Sequence, residues 1–162
     1  MFTYNIADPI TPVSLGHIDN GGKALGVAVA GNFAYLANDL DGLRIYHVAN
    51  PAAPVNIANR NEGGQAYAIA VAGDFAYLAN YDDGLRIYNV SNPTNPVSVG
   101  HVFDDGYACG VAISGRYTYV ANNNNGLRIY DVSDPANPAS VGVAPISPAQ
   151  RSVRAGAQKA NS

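Results

Sequence analysis

Tryptophan is absent, cysteine and methionine occur once each, and charged residues make up only 13% of this 162-residue chain. Each shortage excludes something. A lone Cys109 can form neither an internal disulfide nor a cysteine-based metal cluster. No apolar run approaches the roughly 20 residues that a membrane-spanning helix needs. No secretory signal is visible, because Met1 is followed at once by repeat sequence rather than by a basic start and an apolar run. The net charge of −3 comes without a basic stripe, which argues against nucleic acid as the main partner. The few charges are unevenly spread. Residues 151–162 hold Arg151, Arg154 and Lys159 and no acid, which leaves 6 bases against 12 acids in the rest.

What is present is a repeat. Gly42-Leu43-Arg44-Ile45-Tyr46 returns as Gly84-Leu85-Arg86-Ile87-Tyr88 and as Gly126-Leu127-Arg128-Ile129-Tyr130, with an unbroken period of 42 residues. One period earlier, Phe2-Thr3-Tyr4-Asn5-Ile6 is a worn copy of the same segment. The period divides the chain into a partial unit over 1–18 and full units over 19–60, 61–102 and 103–144. Residues 145–162 break it, and their Ala/Gly/Ser-rich, basic composition predicts a disordered segment.

Each unit contains four short apolar runs, in the first unit Leu25 to Ala30, Phe33 to Asn38, Leu43 to Val48 and Pro54 to Ala58. They are rich in Val, Ile and Tyr and are separated by Gly-Asn, Asp-Gly and Asn-Pro breaks, which marks them as strands. Asp-Gly and Asn-Gly suit the positive φ of tight hairpins, so Gly42, Gly84 and Gly126 are predicted to adopt it. The unit is therefore a four-stranded antiparallel meander, and the chain is all-β. Its first strand is built from small residues (Gly26-Val27-Ala28-Val29-Ala30, Ala68 to Ala72, Gly110 to Ser114), as suits a place where several sheets converge. Sheets arranged radially and tight at the axis describe a β-propeller.

The succession Gly-Val-Ala-Val-x-Gly-x-x-Ala-Tyr-x-Ala-Asn, Gly-Leu-x-Ile-x-x-Val and Asn/Asp-Pro-x-x-Pro resembles the LVIVD repeat over about residues 2–144. That family is found in bacterial and archaeal proteins, many of them at the cell surface or secreted. The resemblance implies a propeller and an extracellular or cell-surface location. It implies no activity and carries no catalytic residue. With three full units and the last two strands of another, the chain is expected to be an open arc, part of a larger ring, or a ring completed by another copy.

Alternate turns of an antiparallel meander lie at opposite ends, so one rim gathers Asp19, Asp39, Asp41, Glu62, Asp82, Asp83, Asp104 and Asp105, 8 of the 12 acids. Such an oxygen-rich rim could hold calcium or a basic or sugar ligand. Turn preference explains each of these residues on its own, and no twelve-residue calcium loop is present, so no metal site is assigned. Arg44, Arg86 and Arg128 share a strand face with Tyr46, Tyr88 and Tyr130. Their repetition in every unit points to packing rather than to an anion site. His17, His47 and His101 fall at phases that do not converge. At the axis only Tyr67 and Cys109 depart from small aliphatic residues, and no nucleophile elbow, P-loop or zinc-protease motif occurs.

The resulting expectation is a non-catalytic binding or assembly module that contacts partners through the acidic rim or through unpaired blade ends. The alternative is a propeller-type hydrolase or lyase with a metal-centred axial site completed by other blades. The outer faces are expected to expose part of the set Val27, Val29, Tyr35 and Leu43 at one end. At the other, part of the set Val111, Ile113, Tyr119 and Leu127 is expected to be open. Either patch would favour self-association.

Overall fold

The computed structural model describes residues 1–145 apart from Asn20, Asp104 and Asn124. The 145–162 segment assigned to disorder therefore lies, beyond Pro145, outside the described residues. All described regular structure is strand. The first sheet has only β1 (Phe2–Asn5) and β2 (Val13–His17). The first full blade comprises β3 (Gly26–Ala30), β4 (Phe33–Ala37), β5 (Leu43–His47) and β6 (Val55–Arg60). The second comprises β7 (Ala68–Ala72), β8 (Phe75–Ala79), β9 (Leu85–Asn89) and β10 (Val97–Val102). The third comprises β11 (Ala108–Ser114), β12 (Tyr117–Asn122), β13 (Gly126–Asp131) and β14 (Ala139–Ala144). Each full blade is a consecutive antiparallel meander, and no closed ring forms among the described residues. No helix is long and apolar enough to cross a membrane among the described residues.

The sheets share a defect that identifies the short one. In every blade the pairing of third and fourth strands slips by one residue, at Ile45/Tyr46, Ser98/Gly100 and Ile129/Tyr130. The β1–β2 pair slips at the same phase, between Thr3 and Tyr4. A bulge adds one unpaired residue and bends the strand, so its recurrence marks equivalent geometry. The β1–β2 sheet is thus the outer half of a blade, with one edge of β1 left unpaired among the described residues.

Turn chemistry sets the meander. Gly42, Gly84 and Gly126 have φ of 72°, 83° and 81°, the left-handed region the hairpins require. A Cβ on Gly84 would also run into the Val102 carbonyl oxygen.

The core lies between blades rather than within one. Tyr35, Ala37, Leu43 and Ile45 of the first blade pack on Ile69, Leu78 and Tyr88 of the second. Tyr77, Ala79, Leu85 and Ile87 of the second pack in the same way on Val120, Tyr130 and Val132 of the third, with Val111 and Ile113 at the margin. Inner strands meet inner strands, β3 on β7 and β7 on β11, which explains their small side chains.

This arrangement corrects the end faces expected from sequence. Val27 is opposite Leu36 and Ala28 opposite Tyr35, so Val27 and Tyr35 point to opposite sides of the sheet. Tyr35 and Leu43 are buried in the first junction, while Val27 and Val29 are 62% and 66% exposed. Val111 and Ile113 likewise pack on the second blade, leaving Leu127 the more open residue of the last face.

Candidate functional site

The rim that carries most of the acids is built from the second-to-third-strand hairpins and the loops leading into the inner strands. Each hairpin begins with a buried asparagine, Asn38, Asn80 or Asn122. The Asn80 amide donates to the Gly63 carbonyl at 2.8 Å and to the Asp83 carboxylate at 2.7 Å. The Asn38 amide donates to Asp41 at 3.1 Å. In the third blade the Asn122 side-chain oxygen instead accepts from the Tyr107 backbone N–H at 3.0 Å. One buried amide in each unit therefore ties the hairpin to itself or to the incoming loop, although the Asn80 side-chain oxygen has no hydrogen-bond partner among the described residues.

The repeat arginines meet the rim acids here. Arg44 pairs with Asp41 at 3.1 Å. Arg86 holds both Asp83 and, at 3.0 Å, Glu62 of the loop that joins the first and second blades. His101 adds Nε2 contacts to Asp83, 2.6 Å to its backbone oxygen and 3.3 Å to its carboxylate. Burial pushes the Asp83 carboxyl up. The hydrogen bonds from Arg86 and Asn80, with the charges of Arg86 and His101, outweigh it and hold the group below the ordinary carboxylate range. Tyr46, Tyr88 and Tyr130, on the same strand face as the arginines, are buried against the preceding sheet. Burial raises the Tyr88 hydroxyl, so it stays protonated.

The sequence-predicted acids therefore separate. Asp41, Glu62 and Asp83 are held by arginine. Asp19 accepts from the Gly21 backbone N–H at 3.0 Å. Asp39 is committed through its backbone, which bonds Ala66 in both directions across the first junction, and Tyr81 and Ala108 repeat that bridge across the second. Asp82 and Asp105 form no ion pair with described residues. Asp104 lies outside the described residues. Among the described residues no group of three or more His, Cys, Asp or Glu is placed to hold a metal ion. The histidines are dispersed: His17 stacks on Phe2, His47 packs edge-on against Phe33, and His101 sits by Asp83.

Two features were not read from the sequence. Tyr67, Tyr81 and Tyr107 form a stack on this rim, with centroids 4.8 and 4.5 Å apart. The signal was available, because each departs from its repeat equivalents: Leu25 and Cys109, Asp39 and Asn123, Lys23 and Gln65. The second feature is a groove of about 560 Å³ beside the half-blade, lined by Met1 to Tyr4, by Leu25, Val27 and Val29, and by Leu36. It occupies the place where the other junctions hold inner strands.

Comparison with known proteins agrees with this architecture. The LVIVD repeat profile matches residues 21–61, 63–104 and 105–143. No curated protein sequence matches the chain. Among solved structures it is similar to the computationally designed Ika4 protein, with TM-score 0.63, 8% identity, 80% of this chain covered and 78% of that one. It is also similar to the computationally designed Ika8 protein, with TM-score 0.61 and 8% identity, covering 79% of this chain and 39% of that one. At such identity the likeness concerns the fold alone.

Proposed function

The chain belongs to the LVIVD-repeat family, and we propose that it works as a non-catalytic binding and assembly module whose main contact is made by its blade ends. The groove beside β1 carries this reading. In the second blade Ile69 is covered by the preceding blade and is 8% exposed, whereas its equivalent Val27 is 62% exposed. The strands that cover Ile69 are a complete sheet; only β1 and β2 stand before Val27. An unpaired β1 edge beside an apolar face is the arrangement that accepts added strands, with main-chain bonds giving affinity and the apolar face giving fit. The occupant this favours is a two-stranded antiparallel hairpin of small apolar residues, of the kind seen in β7–β8. In this reading the acidic rim is a second, polar contact surface of the same module, and the family resemblance supports work at the cell surface.

Light scattering on a dilute sample, together with a hydrophobic dye, tests this. The expected result is a dimer or higher assembly that Val27→Lys with Val29→Lys converts to a monomer. Both positions are exposed, so the variant keeps its fold. A wild-type chain that stays monodisperse and monomeric and binds no dye would refute the reading.

A further inference from the structure

The tyrosine stack lies on the rim, shares no lining residue with the blade-end groove, and asks for a separate explanation. The Tyr67 and Tyr81 rings are inclined by 15° and the Tyr81 and Tyr107 rings by 17°, so the three are nearly parallel. Joining two blades does not require this. The first junction makes the same backbone bridge between Asp39 and Ala66 with no aromatic at the equivalent positions Leu25, Asp39 and Gln65. Tyr81 also sits at φ 47°, a left-handed conformation that Asp and Asn tolerate and that strains a bulky aromatic. Backbone preference alone would favour Asp or Asn at this position, as the first and third blades have. Strain retained against such a choice is typical of ligand sites.

Two acids flank the stacked residues in the sequence. Asp82 adjoins Tyr81, and Asp105 precedes Tyr107 by two residues; neither is paired with a described cation, whereas Arg86 is already occupied by Asp83 and Glu62. Burial, then Tyr67, Tyr107, Cys109 and Asp82, raise the Tyr81 phenol above its ordinary value, so the ring stays neutral in a negative field. Tyr107, at one end of the stack, is 36% exposed and open to a ligand.

We propose that the Tyr67–Tyr81–Tyr107 stack is a binding site for a guanidinium group, an arginine side chain on a basic segment of a partner. A guanidinium is planar and weakly hydrated, so it lies flat on an aromatic face while its edge N–H groups reach carboxylates. Asp82 and Asp105 supply that counter-charge. An ammonium satisfies the charge but not the planar stacking. A neutral sugar ring uses the aromatic faces but not the two uncompensated carboxylates. The site goes beyond the blade-end contact and stands or falls apart from it.

The test follows the ring signals of labelled tyrosines by NMR during titration with a capped Gly-Arg-Gly-Arg-Gly peptide. Its lysine counterpart and a trimer of N-acetylglucosamine are titrated in parallel. The expected result is selective movement of the three stacked rings with the arginine peptide, several-fold weaker binding of the lysine peptide and none of the saccharide. Tyr81→Asn and Tyr107→Gln install residues the repeat already uses at those positions, so the fold is kept; Tyr107→Gln should weaken binding about tenfold, the scale of one well-formed cation–π contact, and Tyr81→Asn, which removes the ring backing Tyr107, about threefold. Asp82→Asn with Asp105→Asn should remove most of the salt dependence. Equal binding of the lysine peptide, binding of the saccharide, unchanged affinity in Tyr81→Asn, or no ring movement at millimolar peptide would each overturn the proposal.

Discussion

The first and second blades are nearly the same sequence in different surroundings. The second has a complete neighbour on both faces; the first has one complete neighbour and the outer half of another. Leu78 and Leu36 are both buried, because even a half-blade covers the middle of the sheet. Ile69 and Val27 part company, because only inner strands reach the axis. Burial here is decided by what stands next door and not by the residue. A propeller blade has no private core, so equivalent positions can differ in energetic weight while reading alike in sequence.

Substitutions at matched positions can break that comparison or sharpen it. The largest effect should be the same in both blades. Gly42→Val and Gly84→Val each force a branched side chain to positive φ and into a carbonyl oxygen, of Arg60 and Val102 respectively. Each should cost about 3 kcal/mol in thermal or denaturant unfolding, from backbone strain and overpacking together. Equal losses would show that the hairpin is local to its blade; a loss confined to Gly84→Val would put the turn under control of the neighbours.

A smaller and unequal effect is expected one layer inward. Ile69→Ala removes mostly buried side-chain atoms and should cost about 2 kcal/mol. Val27→Ala, at an exposed position, should stay within about 0.5 kcal/mol in the monomer. If the two losses are alike, the inner strands of the missing half are present in solution and Val27 is covered.

The smallest effect is electrostatic and concerns Asp83. Its folded pKa is depressed, so its contribution to stability is complete above the unfolded value near 3.8 and is lost as pH falls through the folded value. Asp83→Asn should therefore lower stability at neutral pH by about 1 kcal/mol or less, given partial exposure and screening. It should also flatten the decline below about pH 4. Urea titrations of both forms across pH 2–7 would show this, and parallel curves would remove Asp83 from the account.

Much of the fold was legible because the period was. Strand order and turn positions follow from a 42-residue repeat and from antiparallel connectivity. Pairing between Asp41 and Arg44 was within reach, since they lie three residues apart. Pairing between Glu62 and Arg86, 24 residues apart, depends on how one blade follows another. The same limit left the end-face sets undivided, with Val27 and Val29 exposed at one end and Leu127 at the other. Grouping Val27 with Tyr35 overlooked the register, which sets Tyr35 opposite Ala28 and so on the other side of the sheet. The tyrosine stack was missed for the converse reason: the regularity of the repeat drew attention to what recurs, and these three residues do not.

The backbone bridges at Asp39–Ala66 and Tyr81–Ala108 have one more consequence. Each is a pair of hydrogen bonds, between 2.9 and 3.1 Å, that spans two blades and belongs to neither sheet. Separating two blades gives up one such pair, one shared apolar layer and, at the first junction, the Arg60 bonds to Pro96 and Asn95, with every sheet left whole. The array is thus a set of leaves coupled pairwise at discrete junctions. In a linear array with nearest-neighbour coupling, the outermost leaves open first and the middle leaf last.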